Sequence, residues 1–137
     1  MSDLLIRNCN VLNITIDQRA FILRDHDILI HGNRIESVQP TGQADPSHFK
    51  QVIEANGQLA MPGLINTHAH VPMVLFRGLA EDVTIEKWFN DYMWPLESNL
   101  QPEDVYWGMQ LGLAEMIRAG VTAVADHYFF MDEAAKA

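Results

Sequence analysis

A chain of 137 residues can bury an ordinary core, and 48% apolar with 20% charged residues excludes a disordered or fibrous protein. A formal net charge of −9 excludes the basic face that nucleic acid or an anionic membrane needs, so neither is expected as a partner. One cysteine, Cys9, excludes an intramolecular disulfide; with the acidic opening Met1-Ser2-Asp3 and no long apolar run, it points to a cytoplasmic protein.

Residues 1–60 read as short strands. Leu4 to Asn8 and Val11 to Ile16 are rich in branched apolar residues. Asp27 to His31 and Arg34 to Val38 flank Gly32-Asn33, a two-residue turn with glycine first, which suits a tight hairpin. Ile28 and Ile30 share a face, with Ile35 across the turn. Thr41 to Ser47 is a polar loop, and Gln51 to Ala55 is a further strand ended by Asn56-Gly57. His26, His31 and His48 read as surface residues of this β segment.

The character changes at Met61-Pro62-Gly63. Leu64 to Thr67 is a short apolar strand that runs into histidines. A helix follows, with Thr84 as N-cap, Glu86 in its first turn, an apolar stripe of Ile85, Trp88, Phe89, Tyr92 and Met93, and Pro95 as its stop. A second helix starts at Pro102 and carries Val105, Met109, Leu113 and Met116 on one face. Gly108 and Gly112 predict close packing there, and Gly120 closes the helix. Val121 to Ala125 is a buried strand followed by Asp126-His127, and Asp132 is a candidate cap for one more helix. Strand, helices, strand is a βαβ unit with a parallel pair. Such strands expect sheet neighbours on both sides, and a β/α barrel needs eight strands over ~250 residues. The chain is therefore expected to be incomplete; the alternative is a small self-contained α+β protein.

His68 and His70 are two residues apart, a spacing that puts both imidazoles on one side of a strand and within reach of one cation. They stand at the C-terminal end of that strand, where barrel enzymes build their sites. Imidazole suits zinc and similar metals, but a catalytic site needs at least one further ligand, and none is evident by spacing. A bare His-x-His is otherwise a surface pair.

The string Met61-Pro62-Gly63-Leu64-Ile65-Asn66-Thr67-His68-Ala69-His70 resembles the first barrel strand of the amidohydrolase superfamily. Val71 to Ala80, Trp88 through Trp94-Pro95-Leu96-Glu97, and Ala114 to Thr122 resemble its branch of methylthioadenosine and S-adenosylhomocysteine deaminases, cytosine-deaminase-like proteins and triazine hydrolases. The resemblance implies an α/β fold, the first two β/α units of a (β/α)8 TIM barrel preceded by strands of a small β-sandwich. Residues 1–60 would belong to the sandwich domain and 61–137 would start the metal-dependent barrel domain. It implies one divalent metal ion, zinc with iron or manganese as alternatives, held by His68, His70 and later residues. A later glutamate and histidine would move protons, so no catalytic proton-transfer residue is assigned within this chain. The substrate would be a small molecule and the complete enzyme a homo-oligomer.

In nucleoside deaminases of this branch, a tryptophan packs near the base and a glutamate nine residues on binds ribose hydroxyls. Trp88 and Glu97 match those positions, so both are candidate substrate-binding residues. Core packing is the other reading of Trp88, and a solvated loop acid the other reading of Glu97. Asp126 and His127 end the second strand and could face the mouth; a hydrogen-bonded strand-end histidine is the simpler reading of His127. Many nucleoside deaminases of the branch have methionine at this position, which leaves guanine-type and pterin-type substrates open. Asn66 stands where several dinuclear members have aspartate, which favours one metal ion. Tyr128-Phe129-Phe130 reads as core packing or a lid. The implied function is hydrolytic deamination of an adenine-type nucleoside or related aminated ring. The alternatives are a triazine or guanine-type ring hydrolase, and a non-catalytic fragment or complementing subunit.

Overall fold

Strand β1 (Ser2–Ile14) organises the first half of the computed structural model, which describes residues 2–137. It pairs antiparallel with β2 (Ala20–His31) and parallel with β4 (Phe49–Glu54) and the short β5 (Leu59–Ala60). β2 in turn pairs with β3 (Arg34–Pro40), giving the order β3-β2-β1-β4. The β2–β3 turn is the expected one: Gly32 has φ +57, His31 faces Arg34, and Ile30 faces Ile35. The two strands expected at 4–8 and 11–16 are one strand. The register shifts around Cys9, and Asn8 takes φ +53, so the apparent gap is a bulge. β2 also starts seven residues before the expected Asp27: Ala20 to Leu23 pair residue by residue with Val11 to Ile14, although Ala20, Phe21 and Ile22 stay exposed.

Asp27 is fully buried at the centre of this sheet. Its side-chain oxygens accept from the Asn8 N–H (2.9 Å), the Thr41 hydroxyl (2.9 Å) and the Gly42 N–H (3.2 Å). The bulge and the turn after β3 are thereby held to one point, and a polar group buried this deeply is fully hydrogen-bonded. Cys9, Ile28 and Ala55 form the adjacent apolar core. His31 and His48 are exposed as expected, whereas His26 is half-buried.

The chain divides into two compact units between Pro62 and Gly63. The second unit pairs β6 (Leu64–Ala69) with β7 (Val121–Asp126) in parallel, and α3 (Pro102–Arg118) crosses between them. A tight 3-10 segment, Val71–Phe76, follows β6 and packs on α3. A Cβ on Gly112 would lie 2.4 Å from Val71 Cγ1, and one on Gly108 would lie 2.8 Å from the Pro72 carbonyl, so both glycines are required by close approach. Ala69, Val71, Val105, Met109 and Ala134 form the core of this unit. Arg77 reinforces the contact with a two-pronged ion pair to Glu115, at 3.1 and 2.6 Å, which holds the Glu115 carboxyl below its usual range. Among the described residues β6 and β7 pair only with each other, and Leu64, Ile65 and Ile117 stay exposed. Among the same residues no helix is long and apolar enough to cross a membrane.

Two elements differ from the sequence expectation. Pro95 does not stop its helix. The path runs from α1 (Ile85–Lys87) through a π-helical turn, Trp88–Met93, into α2 (Trp94–Glu97). Pro95 lacks an N–H, and it stands in the first turn of α2, where none is needed. Nor does Asp132 cap the last helical turn, α4 (Met131–Ala134): it lies inside that turn, and Phe130, in the left-handed conformation, occupies the cap position.

Candidate metal and substrate site

Burial of Ala69 dictates the direction of its neighbours. Ala69 packs into the core, so His68 and His70 project from the opposite, exposed side of β6. Their ring centroids are 5.3 Å apart. His70 is oriented further. Its Nδ1 lies 2.6 Å from the backbone carbonyl of His127. A carbonyl only accepts, so Nδ1 carries the proton and Nε2 keeps a free lone pair. This is the tautomer and the outer hydrogen bond that metal-ligating histidines use. The donor chemistry therefore fits a zinc-type cation.

Asp126 organises the same strand ends. Its carboxylate accepts from the Val71 N–H at 3.2 and 3.3 Å and from the His127 N–H at 2.8 Å. The His127 N–H also reaches the Ala69 carbonyl at 3.3 Å. The backbone on both sides of His70 is thus tied to the end of β7, 57 residues away in sequence. His127 acts here through its carbonyl, and its ring stands 5.7 Å from that of His70. Asn66 Oδ1 accepts from the His68 N–H at 3.2 Å. Among the described residues no group of three or more His, Cys, Asp or Glu side chains is arranged to hold a metal ion. His68 and His70 would be part of a set, since a catalytic zinc takes three protein ligands and an open position.

A cleft of ≈ 250 Å³ opens beside His70. Trp88, Glu97, Met73, Phe89, His127 and Tyr128 line it. Trp88 and Glu97 are both half-buried in its wall. Nine residues are two and a half turns of α-helix, which would place these two on opposite faces. The π-helical turn between them resolves this: Trp94 N–H donates to the Phe89 carbonyl five residues back, and i→i+5 bonding winds fewer degrees per residue. The apolar stripe expected on this helix is not core, because only Met93 is buried. Glu97 Oε1 accepts from the Tyr128 hydroxyl at 2.9 Å. Burial first, and then the Glu97 carboxylate, push the Tyr128 hydroxyl well above the ordinary phenol range, so it remains a donor. Tyr128, expected from the sequence to serve core packing or a lid, packs against the core and also makes this contact; the signal for it is its place two residues after a strand-ending aspartate.

Comparison with known proteins bears out the resemblance. Residues 59–137 match the Amidohydrolase family. The chain is 44% identical over 134 residues to a 5-methylthioadenosine/S-adenosylhomocysteine deaminase of Carboxydothermus hydrogenoformans, covering 98% of this chain and 30% of the relative. It superposes on a zinc-bound adenosine deaminase from Xanthomonas campestris with a TM-score of 0.83 at 35% identity, over 98% of this chain and 31% of that one. Its TM-score with a zinc complex of atrazine chlorohydrolase from Arthrobacter aurescens TC1 is 0.77 at 27% identity, over 97% and 32% of the two chains. The chain thus spans about a third of the length of the proteins it matches. The α/β fold expected from the sequence, two β/α units of a barrel after a run of strands, agrees with these superpositions. With more than half of its residues inside the family match, and the His-x-His strand end within that match, the chain belongs to the amidohydrolase family.

Proposed function

We propose that the protein carrying this chain is a metal-dependent aminohydrolase that releases ammonia from the ring of an adenine-type nucleoside. The observation that carries the reading is the shared cleft: His70, oriented with Nε2 free, stands in one wall with Trp88 and Glu97. In this reading His68 and His70 are two of the ligands to one divalent ion, zinc in the first place, with iron or manganese compatible with the same donors. When bound, zinc supplies hydroxide at neutral pH by lowering the pKa of a water to ~7. His70 contributes Nε2 while the His127 carbonyl holds its Nδ1–H, and Asp126 holds the N–H groups of Val71 and His127. Trp88 offers its ring face to the base. Glu97 accepts from sugar hydroxyls, as a carboxylate with free lone pairs does. Met73 and Phe89 supply apolar wall to the same cleft. The remaining ligands and the proton-transfer groups come from outside these 137 residues. Residues 1–60 form part of a sandwich domain and 61–137 the start of the barrel. The complete enzyme works in the cytoplasm as a homo-oligomer on a small-molecule substrate.

The test is ammonia release from 5-methylthioadenosine and S-adenosylhomocysteine by the protein carrying this segment. The expected result is turnover that is lost in His70→Ala. A second reading is hydrolysis of a triazine or guanine-type ring, favoured by His127 in the cleft wall and by the superposition on atrazine chlorohydrolase. Turnover of a triazine with no release of ammonia from either nucleoside would select it. With two candidate ligands, the isolated 137-residue chain is expected to be inactive and, with its β6–β7 sheet open, prone to associate.

A further inference from the structure

Glu97 sits on α2, a helix of four residues, and a glutamate side chain so placed has rotamer freedom to lose on binding a ligand. One group already restrains it. Tyr128 Oη–H donates to Glu97 Oε1 at 2.9 Å across 31 residues of sequence. Tyr128 follows the end of β7 and packs against the core of Ala69, Val71 and Val105. Its ring also stands 6.3 Å from that of His70. A single side chain, anchored in the core, thus contacts both the histidine end of the cleft and its carboxylate.

We infer that Tyr128 is a positioning residue for Glu97: it holds Oε1, leaves Oε2 to accept from a ligand hydroxyl, and sets the distance between a bound sugar and the His70 end of the cleft. The inference rests on the reading of Glu97 as a substrate contact. A carboxylate held before the ligand arrives loses less freedom on binding, so the effect appears as affinity for the hydroxyl-bearing part of the ligand. The recognised class is a nucleoside with a vicinal diol.

The test is equilibrium binding to the zinc-loaded protein carrying this segment, with inosine and 2′,3′-dideoxyinosine as probes. Tyr128→Phe removes one oxygen and keeps the ring in the core, and unchanged zinc content reports an intact fold. The expected result is about tenfold weaker inosine binding, the size of one hydrogen bond to a charged group, with dideoxyinosine changed less than about twofold. Glu97→Gln should weaken inosine at least as much, and adding Tyr128→Phe to it should bring little further loss, because the two side chains act as one unit. Unchanged inosine binding in Tyr128→Phe, alongside a loss in Glu97→Gln, overturns the role of Tyr128 and leaves that of Glu97. Equal losses for both probes in Tyr128→Phe also overturn it, since packing would then be the cause. Unchanged inosine binding in Glu97→Gln, or none by the unsubstituted protein, overturns the underlying reading of Glu97 and the inference with it.

Discussion

In the unit that ends at Pro62, Asp27 is fully buried and three donors converge on it from a bulge and a turn. In the unit that begins at Gly63, Asp126 receives backbone N–H groups in the same way but stands half-buried beside a cleft. The first carboxyl ties together segments that carry no site chemistry. The second ties the backbone that presents His70. One device, a short acid gathering backbone donors, serves stability in one place and orientation in the other. What decides is what lies next to the captured backbone: apolar Cys9 and Ile28 around Asp27, ring nitrogens around Asp126.

The contrast can be broken by substitution. Asp27→Ala leaves three donors without an acceptor and should cost about 3 kcal/mol in denaturant unfolding, with zinc affinity of the surviving folded protein unchanged. A fall in zinc affinity there would erase the distinction between the units. Gly112→Ala forces a methyl to within 2.4 Å of Val71 Cγ1, directly after the histidines. It should cost about 2 kcal/mol by overpacking and should also weaken zinc, since the backbone it displaces carries His70. Asp126→Ala should weaken zinc by about tenfold, the scale of outer-shell changes, with a smaller loss of stability than Asp27→Ala. Asp3 gives the smallest effect. The Lys50 ammonium (2.5 Å) and then the Gly32 N–H (2.7 Å) lower its pKa to about 2. A depressed folded-state pKa stabilises above the ordinary carboxyl value of 3.8 and is lost as pH falls towards 2. Asp3→Asn should therefore slightly flatten the acid loss of stability between pH 4 and pH 2 in thermal melts, and should leave the pH 7 zinc affinity alone.

Legibility in the sequence followed the range of the interactions. The Gly32-Asn33 hairpin and the Thr84 and Pro102 helix starts are local, and each was readable from a few residues. The spacing of Gly108 and Gly112 exposed the close approach of α3, because four residues mark one helix face. The early half of β2 was hidden, since Ala20 to Leu23 is a short run without burial or alternation of its own and its order comes from pairing with β1. His68 and His70 were readable as a pair because two residues along a strand is a geometric statement. That His70 leans on a carbonyl 57 residues away was not, and neither was the contact of Tyr128 with Glu97. The π-helical turn hid the shared cleft from helical spacing: counted along an α-helix, Trp88 and Glu97 diverge.

The proposed chemistry depends on His68 and His70 as ligands of one cation. The most direct measurement is zinc stoichiometry of the protein carrying this segment, compared with the His68→Ala, His70→Ala double variant by elemental analysis after exhaustive dialysis. The expected result is about one zinc per chain in the unsubstituted protein, on the single-ion reading, and loss of the metal in the folded double variant. Full retention of zinc by the folded double variant would contradict it and place the metal elsewhere.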